Sequence, residues 1–331
     1  MALSLAAAAP ALAAETNAPP KELTAGELIR FIGMCDASAA VAAGSNRMAV
    51  ADDESSVLRI YDCRSGGAPL QSFDLTPYLR LRGRKPETDI EGGVRVGDLA
   101  YWIGSHGQNR SGKTRENRRI FFATRITEGP RGIAISLAGA PYKRLLEDLL
   151  GDPRYAAFNL GAAAQLPPKT PGALNIEGLC ARPDGSFLVG FRNPIPQGRA
   201  LFAVLQNPRE MVLGLRARLG APLQLDLEGR GVRDIVFAEG RYWIVGGPAG
   251  SQGASRLYAW NGDDTPPRRV HAEHFKKFNP EALLPMASDA GIEMTLLSDD
   301  GALLQNGVPC KETPNPSMRS FRGFVLRGVL Q

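Results

Sequence analysis

The sequence lacks the short motifs that mark several common classes of enzyme. It contains no GxSxG nucleophile elbow, no HExxH zinc motif, no P-loop and no GxGxxG loop. These absences argue against α/β-hydrolases, zincins, P-loop nucleotide hydrolases and Rossmann dehydrogenases. Ser105 directly precedes His106, which is poor geometry for a nucleophile and its base on one strand.

Cysteine and long apolar runs are also scarce. The four cysteines, Cys35, Cys63, Cys180 and Cys310, form no CxxC pair, which argues against a zinc site of ordinary spacing. In an exported protein they would form one or two disulfides, and three full pairings are open; the alternative is buried free thiols. No segment after residue 14 reaches the roughly 18 apolar residues that span a bilayer, so we expect no transmembrane segment.

The N-terminus is uncharged and apolar. Its first fourteen residues, MALSLAAAAPALAA, resemble a signal peptide with small residues at the cleavage site, although the positively charged start is missing. We predict a signal peptide at 1–14, a linker at 15–26 and a single domain at 27–331. The alternative for the first segment is a disordered alanine-rich tail. We expect the mature protein to be exported, periplasmic or extracellular, and a monomer.

The composition is that of a turn-rich globular protein. The chain has 331 residues, of which 37 are glycine and 25 are proline, and such numbers favour many turns. The net charge of +5 comes from scattered arginines and one basic stretch at 109–119. Because no basic tail or helix-long stripe is present, we predict no nucleic-acid partner.

A repeated pattern indicates the architecture. In the two clearest units, Asp89-Ile90-Glu91-Gly92 leads to the strand at 101–106, and Asn175-Ile176-Glu177-Gly178 leads to the strand at 187–192. Three weaker units begin near Asp36, Asp234 and Glu281. Units of about 40 to 50 residues are typical of propeller blades. We therefore predict an all-β protein, a β-propeller of five blades, or of six if the insertion after Arg125 hides a degenerate blade.

Further strand-like runs complete the predicted blades. A third strand is expected at Val57–Tyr61, Ile120–Ile126, Ala200–Leu205, Arg256–Trp260 and Phe321–Leu326. A fourth is expected at Leu70–Leu75, Gly132–Leu137, Pro222–Leu227 and Arg268–Phe275. The last unit runs out of chain, so we expect the N-terminal segment Glu27–Met34 to complete it. Such closure removes exposed sheet edges.

One short helix is predicted within the second blade. The segment Pro141–Gly151 has apolar residues at helical spacing between a proline start and a glycine stop. We expect this helix to cover an outer sheet face; a lid over the channel is the alternative.

The first strand of each propeller blade lines the central axis. Residues at one repeat position should therefore meet there, and the predicted ring consists of Asp36, Glu91, Glu177, Asp234 and Glu281. Clustered carboxylates repel one another unless they are protonated, paired or bridged by a cation, and hard oxygen ligands suit Ca²⁺. We expect these acids to bind calcium. The alternative is that each accepts hydrogen bonds from backbone amides of the neighbouring blade.

Polar residues also recur at the end of the second strand of the units. These positions hold His106, Arg192 and the acidic pairs Asp52-Asp53 and Asp299-Asp300. We predict catalytic roles for His106, as a general base or metal ligand, and for Arg192, as an anion-binding group. The alternative for His106 is a structural hydrogen bond to a neighbouring loop.

A basic loop follows His106. Residues 107–119 contain five cations and one acid. We predict that Arg110, Lys113 and Arg115 bind an anionic substrate through charge-assisted hydrogen bonds; the alternative is a solvated surface loop.

Several of these strings resemble a known family. Cys35-Asp36-Ala37-Ser38-Ala39, the strand at 50–54 with Leu58-Arg59-Ile60-Tyr61, and Asp89-Ile90-Glu91-Gly92 with its partner strand are similar to the bacterial domain-of-unknown-function family 3616. The resemblance runs from about Leu28 to the C-terminus and implies an exported or envelope-associated propeller without an established activity. The glutamate-glycine strand starts also resemble those of calcium-dependent propeller hydrolases such as phytase-like phosphatases and lactonases, which is an analogy of fold.

Two functions compete at this point. The first is a calcium-dependent hydrolase of an anionic ester, in particular a phosphoester, acting on a small substrate at the central channel. The second is a non-catalytic binding or scaffold propeller for a protein, peptide or glycan. A glycosidase ranks last, because few aromatic residues fall near the predicted rim.

Overall fold

A computed structural model describes residues 19–83, 86–250, 252–272, 275, 278–288 and 291–329 of the chain. The predicted signal peptide lies outside the described residues. Strands dominate, as predicted, and the all-β propeller class is confirmed. No helix within these ranges is long and apolar enough to cross a membrane.

The strands fall into consecutive antiparallel units. Two N-terminal strands come first, β1 (Glu22–Ala25) and β2 (Ile29–Ile32). The first unit contains β3 (Ala39–Gly44), β4 (Arg47–Ala51), β5 (Val57–Asp62) and β6 (Gln71–Asp74). The second contains β7 (Ile90–Val96), β8 (Leu99–Gly104), β9 (Phe121–Gly129) and β10 (Gly132–Tyr142).

The later units repeat this order. The third contains β11 (Asn175–Ala181), β12 (Phe187–Asn193), β13 (Ala200–Leu205) and β14 (Leu223–Leu225). The fourth contains β15 (Gly231–Ala238), β16 (Arg241–Gly247), β17 (Arg256–Trp260) and β18 (Arg268–Ala272). The last contains β19 (Pro280–Met286), β20 (Ile292–Ser298) and β23 (Ser320–Gly328), with a small hairpin of β21 (Leu304–Gln305) and β22 (Val308–Pro309) before β23.

The ring is closed by the N-terminus, as predicted. β2 pairs with β23 in antiparallel fashion, which adds a fourth strand to the last unit. β1 also pairs with β23 and runs parallel to β18, so it joins the fourth and last units into one sheet. Residues 22–25, which the sequence placed in a linker, therefore belong to the folded domain. A disulfide between Cys35 and Cys310 ties the start of the first unit to the last, while Cys63 and Cys180 are buried free thiols.

The inner strands form the wall of the ring. β3 packs against β7, β7 against β11, β11 against β15, β15 against β19, and β19 against β3. A hydrophobic cluster lies between each neighbouring pair of units. Trp102, for example, is fully buried between the first two units, and its indole nitrogen donates to Thr124 Oγ1 at 2.9 Å. Burial of apolar surface between the units thus holds the ring together.

The hairpin turns follow the expected chemistry. Glu239 and Gly240, which join β15 to β16, both have positive φ, at 52° and 72°. A two-residue turn of this kind matches the twist of the flanking strands and favours glycine.

The insertion after Arg125 holds no further sheet among the described residues. It extends β9 and β10 and continues into α2 (Leu145–Gly151), a 3₁₀ turn (Pro153–Phe158) and α3 (Leu160–Ala163). The helix begins four residues later than predicted, because Pro141 and Tyr142 still belong to β10. Leu145 and Leu149 are buried in the cluster between the second and third units, so α2 covers the sheets.

The remaining helices are short. They are α1 (Thr76–Leu79), α4 (Pro208–Val212) and the 3₁₀ turns Glu116–Arg118, Pro196–Gly198, Cys310–Glu312 and Pro316–Met318.

Candidate functional site

Four inner strands begin with a β-bulge. The register of pairing shifts across Glu91 in β7, Glu177 in β11, Arg233 in β15 and Glu281 in β19. A bulged residue leaves the strand ladder, and its side chain can be aimed out of the sheet. All four of these side chains line a cavity of about 1100 Å³ at the end of the ring where the inner strands begin. Asp36, which precedes β3, lines the same cavity.

Asp234 does not line this cavity, in contrast to the prediction. Its Oδ1 accepts a hydrogen bond from the Ile235 amide at 2.7 Å, and its Oδ2 accepts one from the Leu283 amide at 2.6 Å. Burial raises the pKa of Asp234 to about 7. The bulge puts Arg233 at the axial position, so the prediction for this unit was wrong by one residue. Asp234 has the backbone-binding role that was the alternative for the ring.

Arg233 links two of the predicted ring carboxylates. Its Nε lies 3.1 Å from Glu177 Oε2, and its Nη2 contacts Glu281 Oε1. The side chains of Arg233 and Glu177 are each only 3% exposed. Arg192 adds a second cation, since its Nη1 donates to Glu177 Oε1 at 2.8 Å while its other nitrogens donate to the carbonyls of Pro248 and Gly250. Glu177 and Glu281 thus already have cationic partners within the protein.

The carboxylates from the first two units form a different arrangement. Carboxylate oxygens of Asp53, Asp89 and Glu91 lie within 4.8 Å of one another, and so do those of Asp36, Asp53 and Glu54. Asp53 is common to both groups. We call these five residues, Asp36, Asp53, Glu54, Asp89 and Glu91, the acidic cluster.

The acidic cluster is incompletely neutralised. Asp89 pairs with Arg118 Nη1 at 2.8 Å, whereas Asp53 and Glu91 make no hydrogen bond or ion pair with a residue that the structure describes. Oδ1 of Asp53 is buried without a partner. Burial and the neighbouring charges, Asp89 for Asp53 and Glu177 for Glu91, raise the pKa of both groups well above the usual range. Buried acceptors normally contact a hydrogen-bond donor or a cation, so we expect one of these to bind Asp53 Oδ1.

Asp36 belongs to a carboxyl pair at the edge of the acidic cluster. Burial and a hydrogen bond to Asp299 raise the pKa of Asp36 to about 10, so Asp36 is the protonated donor of this pair. Asp299 also accepts from the Gly301 amide at 2.9 Å and from Asn279 Nδ2 at 3.0 Å. A Cβ at Gly301 would lie 1.9 Å from Asp36 Oδ1, so this close approach requires glycine.

His106 is buried outside the cavity lining. Its backbone has a positive φ of 57°, and its Nδ1 lies 2.9 Å from the Gly104 carbonyl oxygen. Nδ1 therefore carries the proton. Burial lowers the pKa of His106 to about 4, so the ring is neutral at pH 7. This geometry fits the structural alternative, and the structure does not bring His106 to the predicted channel site; Arg192, the other predicted catalytic residue, lines the cavity but is bound in the ion network.

The basic loop is divided between cavity and solvent. Arg110 lines the cavity, whereas Lys113 and Arg115 are exposed and do not. Oδ1 of Asn109 accepts from the amides of Ser111 and Lys113 at 3.0 and 2.8 Å. The loop lines the cavity as far as Ser111 and is exposed beyond this turn, so the solvated alternative describes Lys113 and Arg115.

Sequence reasoning missed several residues of the cavity. Arg233 was overlooked because its neighbour Asp234 is acidic, as the repeat pattern leads one to expect at the axial position. Asp53 and Asp299 were noted as end-of-strand acids but were not assigned to the axial site. Lys169 and Lys311 also line the cavity, and they come from loops that carry no repeat signal.

Comparisons with known proteins support the family and the fold. A family model described as "Protein of unknown function (DUF3616)" matches residues 36–131 and 128–298. A search of curated proteins found no match.

Two similar solved structures extend this result. Glutaminyl cyclase from Myxococcus xanthus is 11% identical, with a TM-score of 0.51, and the match covers 95% of this chain and 100% of that one. The major Malassezia sympodialis allergen Mala s 1 is 8% identical, with a TM-score of 0.52, and covers 92% of this chain and 98% of that one. At these identities the similarity shows the fold alone.

Proposed function

The chain belongs to the DUF3616 family of proteins of unknown function, and we propose that this member is a calcium-dependent hydrolase of an anionic phosphoester that acts in the axial cavity. The observation that carries the proposal is the acidic cluster, in which Asp53 Oδ1 is buried without a partner. Unneutralised carboxylates of this kind are costly to bury unless a cation binds them.

The donor set fits calcium. Carboxylate oxygens of Asp53, Asp89 and Glu91 lie within 4.8 Å of one another, and Glu54 extends the set around Asp53, as would Asp36 after loss of its proton. Calcium takes six to eight oxygen ligands in flexible geometry, which suits such a group of carboxylates and water. When bound, the cation would polarise a phosphoryl oxygen and lower the pKa of a bound water.

The cavity also offers groups for the substrate anion. Arg110, which pairs with no carboxylate among the described residues, lines it together with the acidic cluster, so a cation and carboxylates face a common space. In the proposed reaction the oxygen of water forms a new bond to phosphorus, the ester P–O bond breaks, and the proton of the water passes to the departing alkoxide. The chain's own residues orient the ester and hold its negative charge.

Turnover measurements test this proposal. Calcium-loaded protein should hydrolyse p-nitrophenyl phosphate or bis(p-nitrophenyl) phosphate, and EDTA should abolish the activity. Asp53→Asn should also abolish it, whereas Asp264→Asn, the same change at an exposed position of the described chain, should not. If the calcium-loaded protein turns over neither ester, the hydrolase proposal fails and the binding propeller becomes the better account.

A further inference from the structure

Three cations of the cavity wall have no carboxylate partner among the described residues. They are Arg110, Lys169 and Lys311. The other cations of the wall differ, because each forms an ion pair with a carboxylate: Arg118, Arg192, Arg233 and Arg322. Unpaired cations on the wall of a concave site are the usual partners of an anionic ligand.

The three cations come from separate loops, and hydrogen bonds or a disulfide hold each loop in place. Nδ2 of Asn193 donates to the Thr170 carbonyl at 2.7 Å, next to Lys169. Lys311 directly follows Cys310 of the disulfide, and its amide donates to the Gly301 carbonyl at 3.2 Å. Arg110 directly follows Asn109, whose side chain caps the turn of the basic loop. These contacts hold the backbone from which each of the three side chains reaches the cavity wall.

The cations are close enough to influence one another. Burial and the positive charges of Arg192, Arg110 and Lys311 lower the pKa of Lys169. The negative charge of Asp299 offsets part of this effect, and a bound anion would remove the remaining repulsion among the like charges. Three unpaired positive charges favour a dianion over a monoanion such as a carboxylate, because more of the charge is matched.

We propose that Arg110, Lys169 and Lys311 form a subsite that binds a phosphate group. As the place where the substrate's phosphate is held, the subsite rests on the proposed hydrolase function; as a phosphate-binding site, it requires neither calcium nor turnover.

Calorimetric titration with inorganic phosphate tests the subsite. The protein is prepared in EDTA at low ionic strength, so that no divalent cation contributes. Wild-type protein should bind phosphate, and Lys169→Ala combined with Lys311→Ala should raise the Kd about tenfold or more, because two charge-assisted contacts are lost. Lys113→Ala removes a cation from the same loop as Arg110 but outside the cavity, and it should leave the Kd unchanged.

Three results would overturn the subsite. The first is phosphate binding that appears only when calcium is added, because the anion would then be bound by the cation. The second is no phosphate binding at all, and the third is equal binding by wild type and the double variant with unchanged melting temperatures. If phosphate binds as expected but calcium-loaded protein hydrolyses no phosphoester, the subsite stands and the proposed hydrolase function fails.

Discussion

Two sides of one cavity use carboxylates in opposite ways. On the side formed by the third to last units, Glu177 and Glu281 form ion pairs with Arg233 and Arg192, and the other nitrogens of Arg192 donate to backbone carbonyls. On the side formed by the first two units, Asp53 and Glu91 have no such partners among the described residues. The repeat position of Glu91, Glu177 and Glu281 therefore holds paired carboxylates in one half of the ring and, at Glu91, a carboxylate without a described partner in the other.

The comparison teaches that charge balance, rather than the count of acids, distinguishes the half in which we propose a cation site. Carboxylates that already pair with arginines are compensated without a ligand. Buried carboxylates without a partner lower the stability of the folded protein, and a bound cation can remove this destabilisation. Substitutions on the two sides should consequently change stability with opposite sign.

Arg233→Met should have the largest effect. It leaves Glu177 and Glu281 buried with less compensation, so the free energy of unfolding should fall by about 3–5 kcal/mol. Urea denaturation followed by circular dichroism measures this change. Arg268→Met, on an exposed stretch of β18, should stay within about 0.5 kcal/mol of wild type. A loss below about 1 kcal/mol for Arg233→Met would show that the network is not structural.

His106→Asn should change the pH dependence of stability. The pKa of His106 is about 4 in the folded protein, below the unfolded value of about 6.5. The unfolded state therefore binds more protons between these values, and stability present above pH 6.5 is lost as the pH falls toward 4. The loss attributable to His106 is roughly 3 kcal/mol.

Asparagine tolerates positive φ, so this variant should fold. Unfolding free energies at pH 7 and pH 4.5 should differ less in His106→Asn than in wild type. If the unfolding free energy changed equally between pH 7 and pH 4.5 in both proteins, the conclusion that His106 is buried in its neutral form would be wrong.

Asp234→Asn should separate structure from cation binding. The amide can replace only one of the two acceptors that bind the backbone of β15 and β19, so a loss of about 1–3 kcal/mol is expected. The increase in melting temperature caused by calcium should be unchanged, because Asp234 does not line the cavity. If calcium no longer raised the melting temperature of Asp234→Asn, Asp234 would belong to the calcium-binding residues after all.

Asp53→Asn should have the smallest effect on stability and the opposite sign. In EDTA it removes a repelling carboxylate from the acidic cluster, so the free energy of unfolding should rise by on the order of 1 kcal/mol. Thermal denaturation in EDTA measures this gain, with Asp264→Asn as the exposed control. Destabilisation by Asp53→Asn in EDTA would mean that Asp53 already has a favourable partner.

Much of the fold could be predicted from the sequence, because strand periodicity is a local signal. The structure has β13 at Ala200–Leu205 and β17 at Arg256–Trp260, as predicted, and β2 closes the ring within the predicted segment. β1 was missed because its four residues contain no apolar run. They form a strand because they pair with the edges of β18 and β23. The Cys35–Cys310 pairing depends on the closure of the whole ring, which residue spacing does not encode.

The site was harder to predict than the fold. The bulged position of the fourth unit holds Arg233, and the acid that the repeat pattern favours, Asp234, lies one residue later in the strand ladder. His106 turns away because its positive φ and its bond to Gly104 fix the ring in the core. Bulges, left-handed residues and loop-borne lysines are set by tertiary contacts, which the repeat does not show.

Calcium titration of metal-free protein by calorimetry tests the central claim most directly. We expect wild type and Asp234→Asn to bind about one calcium per chain, with a rise in melting temperature relative to EDTA, and Asp53→Asn to lose both responses. Absence of binding heat at millimolar calcium, together with equal melting temperatures in calcium and EDTA, would contradict a cation site in the acidic cluster.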